Sequence, residues 1–499
     1  MNRRFVVAGI SIACLLSAGR QLISAGGQAS PSRCAQLTAL RLPDVKISEA
    51  VAVAAATTGA IRAAHCRVDG VTGTEIRFSL LLPDTWNGKL FMGGGGGFVG
   101  SIQNSAQSTV NVGYATVGTD TGHQGGGTDA SWAYNNLERQ VNFGYLAVHR
   151  TAETAKAIIT SYYGRASSRN YFQGCSRGGG QAFMEAQRFP DDFEGIVAGA
   201  PAFDWTGLAA TMIRNMQALF PNPGKLEAMF TPDALKTVET KIVEACDAND
   251  GVKDGIIDDP RQCKVDVSTL PITAAQKDAL KAVYAPTTNR DGEIYPGQPF
   301  GGEGQASGWP LWITGASAQT ATGGAPSLRF AFGTGVFKYL VFNDPNWDYS
   351  KYDLSNWKKD TALAASFLNA TSPNLDAFKS RGGKFVLYHG WADPALTPLA
   401  SIRYHEQVYA RDAAAANYFR MFLLPGVLHC NGGVGPDTAD WTGVIADWVE
   451  NAKAPARVIA TKVANGAVTR SRPLCAYPEK AVFSGSGSTD DEKNFVCRR

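Results

Sequence analysis

The chain has no Cys-x-x-Cys pair, no block of basic residues and, beyond its first residues, no uninterrupted apolar run of the roughly twenty residues that a membrane span needs. The first absence argues against a zinc ribbon or a thioredoxin-like centre, both of which need closely spaced thiolates. The second, with a formal net charge of +3 over 499 residues, leaves nothing to attract nucleic acid or an anionic membrane. What remains is an ordinary globular composition, long enough for one large core with an insertion or for several average domains. The expected partner is a small molecule.

Residues 1–29 read as an export signal. Arg3 and Arg4 precede an apolar run from Phe5 to about Ala18, and small residues follow with cleavage expected after Ala25 or Ala29. The mature protein is therefore expected to be secreted or periplasmic. Of nine cysteines, removing Cys14 with that segment leaves Cys34, Cys66, Cys175, Cys246, Cys263, Cys430, Cys475 and Cys497. An even set in an exported chain argues for disulfides, although sequence alone sets no connectivity. The sequentially nearest pairs are Cys34–Cys66, Cys246–Cys263 and Cys475–Cys497, which leaves Cys175 and Cys430.

The stretch Tyr171–Gly180 reads as a short strand, a turn of small residues and then a helix from Gln181 to Arg188. Gly174-Cys175-Ser176-Arg177-Gly178 has the Gly-x-Ser-x-Gly pattern of a nucleophile elbow, in which the turn is too tight for flanking side chains and Ser176 is pushed out above the sheet. In a chain with 54 glycines such a pentapeptide also arises by chance. Its weight comes from Cys175 beside the serine and Cys430 beside a candidate base, since a bond between them would bring His429 next to Ser176.

A serine hydroxyl needs a base within hydrogen-bond reach and a third group to orient that base. His65, His123 and His149 precede the serine, the wrong order for this kind of fold. His149 and His405 fall in helical segments and read as structural, and His389 at a strand end reads as a core residue. His429 follows the last strand and the turn Pro425-Gly426-Val427, where a doubly wound hydrolase places its base. Asp393, a few residues past the strand ending at Gly390, is the expected acid. The glycine run Gly93–Gly97 follows another strand and lacks the Gly-Lys-Ser/Thr of a phosphate loop; after an elbow is granted, it is expected to supply an oxyanion-hole amide.

Strand-like segments at 76–82, 89–92 and 113–120, helical periodicity over 141–163, and an apolar run at 195–200 make the first part of an α/β sheet. The alternation resumes at 384–390 and 421–424 and closes with an amphipathic helix around 441–449. Between them lie loops, short helices and Trp205, Trp309, Trp312, Trp347 and Trp357. The expected architecture is an α/β-hydrolase sheet in two parts, 30–202 and 366–499, with an inserted lid domain at 203–365. Inside the insert, Cys246 to Cys263 enclose a loop crowded with aspartates. Hard oxygen ligands at this density suit structural calcium, and Val252 at the sixth position counted from Asp247, where glycine would be required, excludes an EF-hand.

Together, Gly174-Cys175-Ser176, Asp393, His429-Cys430, the Asp-rich loop and the tail Arg472-Pro473-Leu474-Cys475-Ala476-Tyr477-Pro478 resemble the tannase and feruloyl esterase family. The resemblance implies an α/β-hydrolase core with a lid inserted between two core strands and a disulfide joining the neighbours of Ser176 and His429. It implies a serine esterase acting on esters of aromatic acids such as gallate or ferulate, with mono(2-hydroxyethyl) terephthalate hydrolysis as the alternative. Carried onto this chain, the oxyanion donors are the N–H groups of Gly97 and Arg177. The calcium ligands are the side chains of Asp247, Asp250 and Asp254 and the carbonyls of Val252 and Ile256. Phe98, Trp312 and Leu396 are the expected substrate-binding residues. The terephthalate-specific member has an acidic residue after the nucleophile and a carboxylate-gripping lid arginine, whereas this chain has Arg177 and no assignable arginine between Arg329 and Tyr339. A rival of another class is a calcium-stabilised binding protein that keeps the fold without turnover.

Overall fold

The computed structural model describes residues 31–316 and 324–499, so the expected export signal lies outside the described residues. The strands of the main sheet are β1 (Val45–Val53), β2 (His65–Thr72), β3 (Ile76–Pro83), β4 (Lys89–Gly93), β5 (Ala115–Thr119), β6 (Arg169–Cys175) and β7 (Gly195–Gly199). A small separate hairpin, β8 (Thr287–Asn289) and β9 (Gly292–Tyr295), comes next. The sheet is then completed by β10 (Lys384–Gly390) and β11 (Phe419–Leu424). The order across the sheet is β1-β2-β3-β5-β4-β6-β7-β10-β11. Pairing is antiparallel from β1 to β5 and parallel from β5 to β11.

The parallel strands are covered on both faces, which is why they read as continuous apolar runs. Side chains alternate between two cores, as the pleat requires. Phe172, Ile196, Phe385 and Leu387 point to the face covered by helices Ala147–Tyr163, Arg177–Arg188 and Pro398–Arg411. Tyr171, Val197, Val386 and Tyr388 point to the other, where the helix Trp441–Asn451 packs Trp441, Ile445 and Trp448 against them. β7 pairs directly with β10 although the whole stretch between them adds no strand to this sheet. The fold is that of an α/β hydrolase.

Two elements differ from the sequence reading. The helix after the elbow starts at Arg177, not Gln181. Three glycines open it because the neighbouring backbone leaves no room: a Cβ would meet Gly95 O at 3.1 Å from Gly178, Gly199 O at 2.4 Å from Gly179 and Ala202 O at 2.0 Å from Gly180. The periodic stretch 141–163 is also not one helix. Leu137–Val141 passes into a π-helical turn, Asn142–Leu146, before Ala147–Tyr163. Such turns free carbonyls from the regular ladder, and the buried Arg177 guanidinium donates to Phe143 O and Gly144 O of this one.

Candidate active site

The candidate residues gather at the C-terminal ends of β4, β6, β10 and β11, the edge at which open α/β sheets bind ligands. Ser176 occupies the corner after β6 at φ 62° and ψ −121°. This is a conformation a side-chain-bearing residue holds only when its surroundings enforce it. The enforcement is visible: Ser176 N–H donates to Gly199 O at 3.0 Å, and Ser176 O accepts from Ala202 N–H at 2.9 Å and Gly180 N–H at 3.1 Å. Gly174 and Gly178 are required by contact, since a Cβ on Gly174 would lie 2.5 Å from the Gly178 carbonyl carbon.

His429 lies in the loop after β11. Its Nδ1–H donates to Asp393 Oδ2 at 2.8 Å, while Nε2 is buried and has no hydrogen-bond partner among the described residues. Cys175 and Cys430 are bonded with Cα atoms 6.0 Å apart, which ties the residue after His429 to the residue before Ser176. The Trp312 ring meets the imidazole edge-on, 4.9 Å between centroids. The remaining disulfides are Cys34–Cys66, Cys246–Cys263 and Cys475–Cys497.

Asp393 is fully buried. Its Oδ1 accepts from the N–H groups of Ala395 (2.8 Å) and Leu396 (3.0 Å), and its Oδ2 accepts from His429 and, at 3.1 Å, from His389 Nε2–H. Burial opposes its ionisation, but the two imidazoles outweigh that and hold its carboxyl below the usual carboxylate range. His389 also donates to Leu396 O at 3.0 Å, and its Nδ1 faces Ser401 Oγ at 2.8 Å. Its core role was legible; its bond to the same carboxylate as His429 was not.

A cavity of about 30 Å³ sits against Ser176. Gly97, Arg177, Trp312 and Leu396 line it, joined by Ala202, Trp205, Leu208, Met212, Phe332 and Ala395, which the sequence reading did not single out. Phe98, the remaining expected substrate-binding residue, is not among the lining residues: it is fully buried, its ring 5.8 Å from Trp205 and 5.2 Å from Phe332, both of which line the cavity. A larger cavity of about 340 Å³ opens between Phe300 and Trp391 and contains none of Ser176, Asp393 or His429. Size therefore does not single out the cavity at Ser176.

In the acidic loop, Asp247 Oδ1 accepts from the amides of Asp254 and Gly255, Asp250 Oδ1 from that of Val252, and Asp254 Oδ1 from that of Ile256. Asp254 Oδ2 also takes Arg472 at 2.6 Å. Among the described residues no three Asp, Glu, His or Cys side chains converge as a metal-holding group. The carbonyls of Val252 and Ile256 accept no hydrogen bond from any described residue, so that part of the donor set is open. Burial, and after it the charge of Asp254, raise the Asp250 carboxyl, an opposition that a cation would relieve.

An α/β-hydrolase sheet with a strained serine at the strand–helix corner and a carboxylate-bound histidine tied to it by a disulfide defines a hydrolase architecture. The sequence model described as "Tannase and feruloyl esterase" matches residues 59–498, and the chain belongs to that family of carboxylic ester hydrolases. It is 34% identical to an uncharacterized esterase of Xanthomonas campestris pv. campestris over 97% of this chain and 93% of that one. It is 31% identical to mono(2-hydroxyethyl) terephthalate hydrolase of Piscinibacter sakaiensis over 87% of this chain and 84% of that one. The crystal structure of feruloyl esterase B from Aspergillus oryzae superposes with a TM-score of 0.82 at 26% identity, covering 94% of this chain and all of that one.

Proposed function

We propose that this enzyme hydrolyses esters of aromatic carboxylic acids of the feruloyl or galloyl kind through Ser176, His429 and Asp393. The observation that carries the reading is the orientation of His429: Nδ1–H is committed to Asp393, leaving Nε2 as the only ring nitrogen free to take a proton. His429 removes the Ser176 Oγ proton as Oγ bonds the ester carbonyl carbon. The carbonyl electron pair moves to oxygen, where the N–H groups of Gly97 and Arg177 hold it. Collapse expels the alcohol with the proton from His429. Water then repeats the cycle on the acyl-enzyme, releasing the acid and restoring Ser176.

The apolar walls of the small cavity support an uncharged aromatic acyl group. Arg329 is buried with both terminal nitrogens bonded, to Asn215 Oδ1 (2.8 Å) and Gln298 Oε1 (2.6 Å), and so is not offered to a terephthalate carboxylate; Arg177 gives Nη2 to two carbonyls, while its Nε and Nη1 are buried without partners among the described residues. At about 30 Å³ the cavity is far below the roughly 300 Å³ of a drug-sized site. Admitting an aromatic ring therefore requires Trp312 or Phe332 to move, and both belong to the segment between β7 and β10, which acts as the lid. Four disulfides support a location outside the cytoplasm. Calcium at Asp247, Asp250 and Asp254 with the carbonyls of Val252 and Ile256 would relieve the acidic loop and take no part in bond making.

A side-by-side assay on methyl ferulate, methyl gallate and mono(2-hydroxyethyl) terephthalate tests the substrate class. Turnover of the first two above the third is expected, with Ser176→Ala folded and inactive. Wild-type enzyme that binds aryl esters and turns over none of the three would return the chain to a binding role.

A further inference from the structure

The Gly93–Gly97 run hands out its amides one by one. Gly94 N–H donates to Gln173 O at 2.8 Å, Gly95 to Gln181 Oε1 at 3.2 Å and Gly96 to Gln103 Oε1 at 2.8 Å. The N–H of Gly97 has no acceptor among the described residues. What fixes that free amide in space is the residue after it. Phe98 N–H donates to Gly127 O at 2.7 Å, and Phe98 O accepts from His123 Nε2–H at 2.9 Å. Gly97 itself is at φ 57°, and a Cβ there would meet Gly127 O at 2.3 Å, so the loop lies flush on the segment that carries His123.

His123 is fully buried, with its ring stacked on Trp132 at 3.7 Å and its Nδ1 without a hydrogen-bond partner among the described residues. Phe143, whose carbonyl receives Arg177, packs on the edge of the same imidazole at 6.2 Å. The charged groups that reach it, Arg139 and Glu75, act on it with opposite signs and are bonded to each other at 2.7 Å. Burial keeps the ring neutral, its ordinary value lowered to about 4. A neutral imidazole has one N–H, and the Phe98 carbonyl selects the tautomer that carries it on Nε2.

We propose that His123 is a positioning residue for the oxyanion site: its Nε2–H clamps the Phe98 carbonyl and so holds the Gly97 N–H where the tetrahedral oxygen forms. This rests on reading Ser176 as the nucleophile and Gly97 as an oxyanion donor. Without the clamp a buried carbonyl is left unpaired, and the loop shifts to satisfy it. The shift moves a donor whose value lies in its placement, and a misplacement of about 1 Å is worth on the order of 100-fold in rate.

The test compares His123→Phe, which keeps the stack on Trp132 and loses the N–H, with His123→Gln, which keeps a donor. Four quantities are read: kcat, KM, the affinity for an aryl boronic acid, which forms a tetrahedral serine adduct, and the affinity for the product carboxylic acid. For His123→Phe, kcat and boronic acid affinity are expected to fall together by about 10- to 100-fold. KM and product-acid affinity should stay near wild type, and His123→Gln should recover most of the loss. Unchanged kcat and boronate affinity in His123→Phe overturns the proposal. An equal loss of product-acid affinity also overturns it, because it marks collapse of the pocket instead of displacement of one donor. Turnover surviving in Ser176→Ala removes the underlying reading, and the proposal with it, whatever the His123 variants do.

Discussion

Replacing Cys175 and Cys430 together by alanine separates the structural from the catalytic value of their bond. It closes a loop with a sequence separation of 255, for which loop-closure entropy corresponds to about 5.5 kcal/mol at 25 °C. With unfolding entropy of roughly 2.1 cal/mol/K per residue, that lowers Tm by about 5 to 6 °C in a chain of this length. The activity should suffer more, and from one end only. Ser176 (φ 62°) and Cys430 (φ 65°) both hold backbone conformations that cost about 1–3 kcal/mol each and relax when released. Ser176 stays pinned by three backbone hydrogen bonds to Gly199, Ala202 and Gly180. Cys430 itself makes no backbone hydrogen bond among the described residues, and the nearest that span it are the Leu428 N–H to Gly432 O bond (3.2 Å) and the Asn431 N–H to His429 O bond (2.8 Å), so its relaxation carries His429 with it. Steady-state kinetics on methyl ferulate beside calorimetry should show kcat down about 10- to 100-fold with KM nearly unchanged. A lowered Tm with unchanged kcat would mean that Asp393 and Trp312 alone fix the imidazole, and the reasoning would be refuted. A rise in KM without a fall in kcat would place the effect in the pocket and refute it equally.

Asp393→Asn should cut kcat by about 10⁴-fold while leaving a folded protein; a loss under tenfold would exclude Asp393 as the group that orients His429. Glu303 is fully buried with Oε2 unpartnered, and burial pushes its carboxyl up to about 7 from an ordinary 4.5. The folded state then keeps a proton that the unfolded chain releases, so stability falls as pH rises from about 4.5 through 7. Glu303→Gln should flatten that part of the Tm–pH curve, and an unchanged slope would assign it elsewhere. Gly180→Ala puts a methyl 2.0 Å from Ala202 O and should destabilise by on the order of 3 kcal/mol, read as a shifted denaturation midpoint. A chelator should lower Tm if calcium holds the acidic loop, and a melting curve indifferent to it removes calcium from the account.

The parts of this fold that were legible are those where one residue type answers one local demand. Apolar runs such as Gly195–Gly199 and Lys384–Gly390 mark strands buried on both faces, and small residues around Ser176 mark a corner that tolerates no side chain. β1 escaped the reading because it sits at the antiparallel edge: it buries only Ile47 and Ala50 and shows no clean period of two. Order along the chain picks out Ser176, Asp393 and His429 as candidates, and the fold brings the Asp393 carboxylate to His429 and ties Cys430 to Cys175. Trp205, Met212 and Phe332 could not be picked out this way, because which face of a helix meets a cavity depends on how the segment between β7 and β10 folds back, and no local pattern records that. His123 illustrates the same limit. It precedes the serine and so fails the order test for a base, yet it bonds the carbonyl of Phe98, next to Gly97, through a contact that carries no sequence signal.

The acid shows why the segment between β7 and β10 is more than a cover. Asp393 O accepts from Gln298 Nε2–H at 2.6 Å, and the same Gln298 accepts from Arg329 through Oε1, which in turn bonds Asn215. Thr397, just past the acid, donates to Gly297 O at 2.8 Å. The loop that presents the carboxylate is thus fastened on one side by His389 of the core and on the other by residues of that segment. Burial lowers the Arg329 guanidinium only to about 10, so it stays charged, and Asp393 is the carboxylate that favours its charge. Changing Arg329 or Gln298, neither of which lines the cavity at Ser176, therefore loosens the loop that presents the Asp393 carboxylate to His429. A variant such as Gln298→Ala should then lower kcat on every ester that the enzyme binds, leaving the order of preference among esters unchanged.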